Sequence, residues 1–394
     1  NKNIAVIGAG PAGLSSAYDL VQNGYGVTVF EKQSSAGGMI ASVIPDFRMD
    51  KVGMKNEIAV LNDMGVKFKF NTSLGKDIAL EDLSKKFDSV ILAVGMWQVP
   101  PLEIVENNIS LSDRFDAISF LQQYNLKKLK LKPAANVLVI GGGNSAMDAA
   151  RAAKQFDKKN NVIISCIETE DKMPAFKEEV KHALADGIQL NANSFVDAIA
   201  KENGRYEILL RSFDKKEVLE KIEVDYVITA IGQKGDPSVL NENIETDSSS
   251  RIKLVSGYTN VFAAGDILAG NHISLIGAIG SGKRAAVQVR KLLEDYKFEY
   301  EGETALNKLT SATGSELSRS ETDNLNPEDI FNYDLYQPCA KCDHCIENFG
   351  CPAMVKVDGK IVIDDARCNR CGLCIDVCPN GAVEMIEEVI DLRK

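Results

Sequence analysis

Cysteine is nearly absent from the first 338 residues of this 394-residue chain: Cys166 stands alone there, and the other eight fall between Cys339 and Cys378. A secreted disulfide framework spreads through the fold it staples, so this distribution excludes one and reads as metal ligation. Tryptophan occurs once, as Trp97, and histidine three times, as His182, His272 and His344. His182 and His272 are scattered, a lone histidine is more often structural than catalytic, and no side-chain general base or nucleophile stands out. No stretch approaches the roughly 18 consecutive apolar residues of a membrane helix. Long basic runs are missing too, and the net charge is -11, which makes nucleic acid and anionic membrane poor partners. Asn1 to Ile7 run straight into a strand, without the basic, apolar and small-residue segments of a signal peptide.

What is present is a soluble balance, 45% hydrophobic and 26% charged, in a chain long enough for two or three domains. Lys2 to Gly8 is an apolar strand running into a glycine-rich turn, followed by a helix over 13–23 and a second strand over 26–31. Asn136 to Gly141 begins the same pattern, with a helix over 144–156 and a strand over 161–168. Strand, turn, helix, strand with such runs is a βαβ unit in a parallel sheet covered on both faces. Lys127 to Ala135, short, basic and carrying Pro133, reads as a hinge between the two halves. A further helix is expected from about Ser281 to Tyr296. The polar stretch 299–332 reads as a linker, and 333–394 as a compact cysteine-rich module.

Gly8, Gly10 and Gly13, with Pro11 and Ala12 between the last two, give the spacing G-x-G-x-x-G. The first glycine makes the turn, the second lets backbone approach a pyrophosphate, and the third lets helix and strand pack closely. Glu31, followed by Lys32, closes the next strand where a carboxylate accepts hydrogen bonds from ribose hydroxyls. In the second half Gly141, Gly143, Asn144, Ser145 and Ala146 fit G-x-G-x-x-A, and Glu168 ends the following strand. Two further strands end in glycine turns at Gly95 and Gly232, and a third ends in Gly265-Asp266.

With these features the sequence resembles the two-dinucleotide-binding-domain flavoproteins. The resemblance implies FAD in the first fold, with Asp266 toward its ribityl and pyrophosphate region. It also implies a nicotinamide nucleotide in the second. The helix near Gly280-Ser-Gly282 would aim its positive end at the flavin. Within that group the chain is most similar to the glutamate synthase small subunit and its relatives, through Gly37-Gly38-Met39, Ile44-Pro45-Asp46-Phe47-Arg48 and Met173-Pro174-Ala175. The similarity covers about residues 1–295. Those relatives carry an iron–sulfur domain ahead of the flavin fold, whereas here the cysteine-rich module follows it. They also commonly hold the 2′-phosphate of NADPH with an arginine pair, at positions occupied here by Ile167 and Glu168. A glutamate bonds a free 2′-hydroxyl and repels a phosphate, so NADH is expected over NADPH.

The module reads Cys339-x2-Cys342-x2-Cys345-x5-Cys351-Pro, then Cys368-x2-Cys371-x2-Cys374-x3-Cys378-Pro. Three cysteines two residues apart wrap one cubane, and the fourth reaches the other cluster. Cys339, Cys342, Cys345 and Cys378 are therefore expected on one [4Fe–4S] cluster, and Cys368, Cys371, Cys374 and Cys351 on the second. Zinc is the rival, but a third equally spaced cysteine and Cys-Pro are not its usual form. The module resembles the ferredoxin domain of indolepyruvate-type 2-oxoacid oxidoreductases. His344, between two ligands, reads as a supporting or surface residue. Trp97 could cover a flavin, although packing is the simpler role.

The expected architecture is α/β: two Rossmann-like dinucleotide-binding domains, one inserted in the other, plus a small α+β bacterial ferredoxin-like domain. The FAD domain would take 1–105 and 237–298, the NAD(P)H domain 106–236, the linker 299–332 and the ferredoxin-like domain 333–394. Nicotinamide carries two electrons as hydride, each cluster takes one, and FAD can do both. The expected function is electron transfer between NADH, FAD and two [4Fe–4S] clusters, to or from a catalytic partner subunit. That partner could be a 2-oxoacid or aldehyde oxidoreductase, a hydrogenase or a glutamate-synthase-like enzyme. Thiolate-held clusters favour a reducing, cytoplasmic setting. A flavin disulfide reductase needs a cysteine pair beside the flavin, and this body holds only Cys166. A carrier subunit with a silent nucleotide fold is the non-enzymatic alternative.

Overall fold

The computed structural model describes residues 2–202, 204–239, 243–269, 274–294, 354–357 and 360–363. The chain opens with β1 (Asn3–Ile7), α1 (Pro11–Gln22) and β2 (Gly26–Phe30), then α2 (Gly38–Ser42), α3 (Lys51–Asp63), β3 (Lys67–Lys69), α4 (Leu80–Lys86) and β4 (Ser89–Leu92). Next come α5 (Glu103–Asn108), β5 (Arg114–Asp116), α6 (Ala117–Asn125), β6 (Asn136–Ile140), α7 (Asn144–Phe156), β7 (Asn161–Ser165), α8 (Lys177–Ala185) and β8 (Gln189–Asn191). Strands β9 (Ser194–Glu202), β10 (Arg205–Ser212) and β11 (Val218–Val224) precede β12 (Tyr226–Thr229). The rest is β13 (Ile244–Thr246), β14 (Ile252–Val255), β15 (Val261–Ala263), α9 (Leu275–Glu294) and a hairpin of β16 (Met354–Val357) and β17 (Lys360–Ile363).

Two compact units emerge. Among the described residues, the first comprises those up to 36, 58–95 and those from 237 onward, and the second 37–57 and 96–236. Each is built on a five-stranded parallel sheet, in the order β15-β4-β1-β2-β3 in the first and β5-β12-β6-β7-β8 in the second. The two orders correspond at the centre, where β1 and β6 each lie between the strand after their own helix and a later one. Val6 pairs with Val29 and Ile91 in one sheet, and Val139 with Ile164 and Ile228 in the other.

The central strands are unbroken apolar runs because both faces are covered. In the first unit Val6, Val29 and Ile91 face α1 and α9, while Ala5, Ile7 and Leu92 face Leu80, Leu83 and Ile252. In the second unit Val137 and Val139 face α6 and α7. Leu138 and Ile140 face Tyr206, Ile208 and Leu210 of an antiparallel sheet ordered β11-β10-β9. Ala146, Ala149, Ala150, Ala152 and Ala153 are fully buried, so α7 lies close on its sheet with no long side chain to hold it away.

Three expectations shift. Lys127–Ala135, read as a hinge between halves, lies wholly inside the second unit, whose core takes in Leu129 and Ala135. Residues 37–57, read with the first fold, belong to the second unit: Val43 is in its core, with Met39 and Phe47 packed against it. The helix expected to start near Gly280–Gly282 begins at Leu275, and those glycines lie in its interior. Gly-Ser-Gly there is a packing notch rather than a start signal. A Cβ on Gly282 would stand 2.1 Å from the Ala12 carbonyl oxygen and 2.2 Å from Ser15 Oγ, so α1 and α9 touch backbone to backbone. The Ser15 hydroxyl also donates to the Ile279 carbonyl at 2.9 Å.

Candidate nucleotide-binding sites

The same turn is built twice. Gly8 (φ +106°) and Gly141 (φ +142°) each pass beneath a neighbouring strand end. A Cβ on either would lie 2.3 Å from a carbonyl oxygen, that of Ala93 for Gly8 and of Ala230 for Gly141. Any side chain there would drive out the strand that runs on to Gly95 or Gly232, which themselves take left-handed backbone. Gly10 and Gly143 are the opposite case, with nothing within 4 Å of where a Cβ would be. Both occupy the N-cap, extended and without a side-chain cap, so the first N–H groups of α1 and α7 are left for an anion. Pro11 opens α1 at a position whose missing N–H costs nothing. Gly13 and Ala146 are buried where helix meets sheet.

In the first unit Glu31 is 5% exposed. Its Oε2 accepts from the Ala9 N–H at 2.7 Å and its Oε1 from the Gln33 N–H at 2.8 Å. The carboxylate is thus anchored on the glycine turn itself, with one further lone pair on each oxygen for a ribose hydroxyl. Lys32 beside it is exposed. Across the sheet end, the Gly265 N–H donates to the buried Ser281 hydroxyl at 2.9 Å, tying the Gly-Asp turn to α9. Asp266 is held there with Oδ1 buried and without a hydrogen-bond partner. Burial pushes its carboxyl up to about 6. An unsatisfied buried acceptor beside an open glycine cradle and a buried carboxylate suits a ligand bearing both a pyrophosphate and hydroxyl donors.

In the second unit Glu168 is half-buried against the turn. A Cβ on Gly142 would come within 2.7 Å of its Oε2, so a side chain at 142 would displace the carboxylate. Asn144 Oδ1 accepts the Phe176 N–H at 2.9 Å, and the Gly142 carbonyl accepts the Ala175 N–H at 3.1 Å. The Met173–Phe176 loop is thereby fastened along the glycine turn. Ser145 is half-buried on the first turn of α7. Gly38 opens α2 in this unit with φ +54°.

Sequence reasoning passed over an ion-pair network on α7. Arg48 Nη1 lies 2.8 Å from Asp148 Oδ1 and 2.9 Å from Glu179 Oε2. Arg151 reaches Asp186 at 2.9 Å and Glu179 at 3.4 Å, with its guanidinium 4.7 Å from the Phe47 ring centre. Burial pushes Asp148 up to about 6, Arg48 and Arg151 draw it down, and Glu179 pushes it up. The visible signal was charge at positions 148 and 151 of a helix otherwise apolar on that side.

Cys166 is buried, its thiol pushed up to about 11 by burial and by Glu168. Trp97 packs against the second unit's core. His182 is exposed, 4.0 Å from Glu179, while His272, His344 and the eight clustered cysteines lie outside the described residues. Among the described residues no helix is long and apolar enough to cross a membrane.

Two Rossmann-like folds with paired glycine turns define a flavoprotein of the two-dinucleotide-binding kind. The chain belongs to the pyridine nucleotide-disulphide oxidoreductase family, which residues 2–289 match, and residues 361–384 match the 4Fe-4S binding domain. That second match takes in Cys368, Cys371, Cys374 and Cys378. The glutamate synthase [NADPH] small chain of Escherichia coli is 30% identical over 74% of this chain and 69% of its own length. The NAD-dependent dihydropyrimidine dehydrogenase subunit PreT of the same organism is 31% identical over 74% and 68%. An NADP(+)-dependent formate dehydrogenase subunit beta from Moorella thermoacetica is 32% identical over 74% of this chain, which spans only 44% of that protein. Among solved structures, Mycobacterium tuberculosis FprA in complex with NADPH covers 79% of this chain and 88% of its own, at TM-score 0.63 and 17% identity. T. acidophilum thioredoxin reductase covers 74% and 99%, at TM-score 0.57 and 20% identity. At these identities the structural likeness is one of fold.

Proposed function

We propose that this chain is the electron-transfer subunit of a larger oxidoreductase, relaying electrons between NADH, FAD and two [4Fe–4S] clusters. The observation that carries the reading is the duplicated glycine turn on matching parallel sheets, in a chain whose other eight cysteines cluster in ferredoxin spacing. FAD, when bound, supplies the exchange between two-electron hydride chemistry and one-electron transfer that nicotinamide and iron–sulfur groups need to communicate. The chain's residues bind and orient. Gly8, Gly10 and Gly13 admit the FAD pyrophosphate to the α1 N-terminus, Glu31 takes a ribose, and Asp266 accepts from the ribityl region. Gly95 keeps the neighbouring strand end clear of the Gly8 turn. Gly38 is kept as a cofactor-binding residue by resemblance alone.

In the second unit Gly141, Gly143, Asn144, Ser145 and Ala146 form the nicotinamide nucleotide's cradle, with Gly232 closing the adjacent strand. Glu168, a carboxylate against that turn, favours a free 2′-hydroxyl and supports NADH. Cys339, Cys342, Cys345 and Cys378 would hold one cluster, and Cys368, Cys371, Cys374 and Cys351 the other. The linker 299–332 would separate this module, 333–394, from the flavin body, and a catalytic redox subunit would take or give the electrons. The relatives' names support such a partner, since several are subunits. A cytoplasmic setting follows from thiolate-held clusters.

The test is anaerobic titration of the purified, cluster-replete chain with NADH and separately with NADPH, followed by absorbance and electron paramagnetic resonance. Flavin bleaching and cluster signals with NADH but not NADPH are expected, and Glu168→Arg should move the preference toward NADPH by about tenfold or more. Reduction of the wild type by NADPH alone would sink the role of Glu168. Reduction by neither would favour a carrier with a silent nucleotide fold.

A further inference from the structure

Two motifs in the second unit, Ile44–Arg48 and Met173–Ala175, find no role in a cofactor cradle, yet both end on α7. This helix carries Asn144, Ser145 and Ala146 on its first turn. The second motif meets the turn through Ala175, whose N–H bonds the Gly142 carbonyl, and the next residue, Phe176, donates to Asn144 Oδ1. The first is held at both ends. Asn125 of α6 donates to the carbonyls of Ser42, Val43 and Ile44 at 3.1, 3.0 and 3.2 Å, capping α2 and fixing where the loop starts. At its far end Phe47 lies under Arg151, and Arg48 reaches into the gap between α7 and α8.

The gap is largely buried and its charges are matched one against another. Side-chain exposure is 23% for Arg48, 10% for Asp148, 12% for Glu179 and 13% for Arg151. Asp148 stands one turn below Asn144 on the same helical face. With Arg48 removed, Asp148 would lose the cation bonded to it and Glu179 would keep only Arg151, and breaking a buried pair in this way destabilises the packing around it.

We propose that Arg48 is a positioning residue for the nicotinamide-nucleotide cradle, bridging Asp148 on α7 and Glu179 on α8 so that the first turn of α7 is held in place. The proposal rests on reading the Gly141–Ala146 turn as that cradle. Arg48 touches no reacting atom: it acts through Asp148, so its loss weakens nucleotide binding and leaves turnover at saturation nearly intact. Lysine supplies the charge but a single point of contact, and should recover part of the effect.

The experiment compares the full cluster-replete chain with Arg48→Gln, Arg48→Lys and the double variant Arg48→Gln/Asp148→Asn. NADH affinity is measured by calorimetry, and backbone hydrogen exchange by mass spectrometry over residues 142–148. Arg48→Gln should weaken NADH binding about tenfold and raise KM alike, with kcat within about twofold. It should speed exchange over 142–148 while leaving β6 and β7 protected. Arg48→Lys should fall between, and the double variant should bind better than Arg48→Gln because only Glu179, which keeps Arg151, is left facing the lost arginine. Wild-type affinity and exchange in Arg48→Gln would overturn the proposal. If the wild type binds neither NADH nor NADPH, the cradle reading itself fails. Exchange then still decides the bracing role, and unchanged exchange over 142–148 refutes it.

Discussion

Replacing Asp266 by asparagine should move stability in opposite directions with and without flavin. Burial lifts the Asp266 carboxyl from 3.8 up to about 6, and its Oδ1 has no hydrogen-bond partner to offset that burial. Because the folded value lies above the unfolded one, the group's stabilising contribution is full below pH 3.8 and lost as pH rises through about 6. Above that, the ionised carboxylate costs the flavin-free protein about 3 kcal/mol at about 1.4 kcal/mol per pK unit. Asparagine fills the same space without the charge. The stability difference between Asp266→Asn and wild type should therefore grow from about 1.5 kcal/mol at pH 5 to about 3 kcal/mol at pH 8 in the flavin-free chain. With FAD bound, the variant loses a charge-assisted acceptor, about 1.5–3 kcal/mol, and flavin affinity should fall by at least about tenfold. The assay is urea unfolding of both proteins from pH 5 to pH 8, with and without FAD. A pH-independent difference, or a flavin-free variant less stable than wild type at pH 8, refutes the reasoning.

Gly282→Ala should destabilise the first unit by about 1–2 kcal/mol, read as a lower urea midpoint: the new methyl forces α1 and α9 apart, against a helix-propensity gain near 1 kcal/mol. A rise in the midpoint would mean that the helices do not approach as described. Cys166→Ala should leave NADH-driven flavin reduction within about twofold of wild type, since a buried lone thiol held near 11 is neither exposed nor ionised for disulfide exchange. In the folded wild type the same thiol should resist iodoacetamide at pH 8, and rapid alkylation would contradict its burial.

Much of the fold was legible because parallel-sheet strands buried on both faces leave an unmistakable pattern. Asn136–Ile140 and the helix Asn144–Phe156 fall where the apolar run and glycine turn place them. The glycine spacing likewise marked both turns, since a side chain at Gly8 or Gly141 would meet a neighbouring carbonyl while Gly10 and Gly143 lie open. Gly282 was misread because glycine inside a helix and glycine before one look alike in sequence, and only the partner helix, 264 residues from Ser15 to Ile279, distinguishes them. Residues 37–57 were misplaced for a related reason. They follow β2 in sequence, but their apolar side chains, Val43 and Phe47 among them, find their core on α6 and α7, far along the chain. Arg48 was read as part of a motif and not as an ion-pair partner, because its carboxylates come from two later helices.

The edge strand β15 adds a constraint on how the molecule is made. It pairs with β4, Ala263 beside Leu92, and the whole segment 96–236 lies between them in the chain. That segment leaves and returns through one doorway, where the Gln98 N–H bonds the Lys234 carbonyl at 3.1 Å and the Lys234 N–H bonds the Gln98 carbonyl at 2.7 Å. During synthesis, the strands of the second sheet are all available before β15 leaves the ribosome. The first sheet therefore keeps an open edge at β4 until β15 has been made, and pairing the two closes a loop that spans the whole inserted segment.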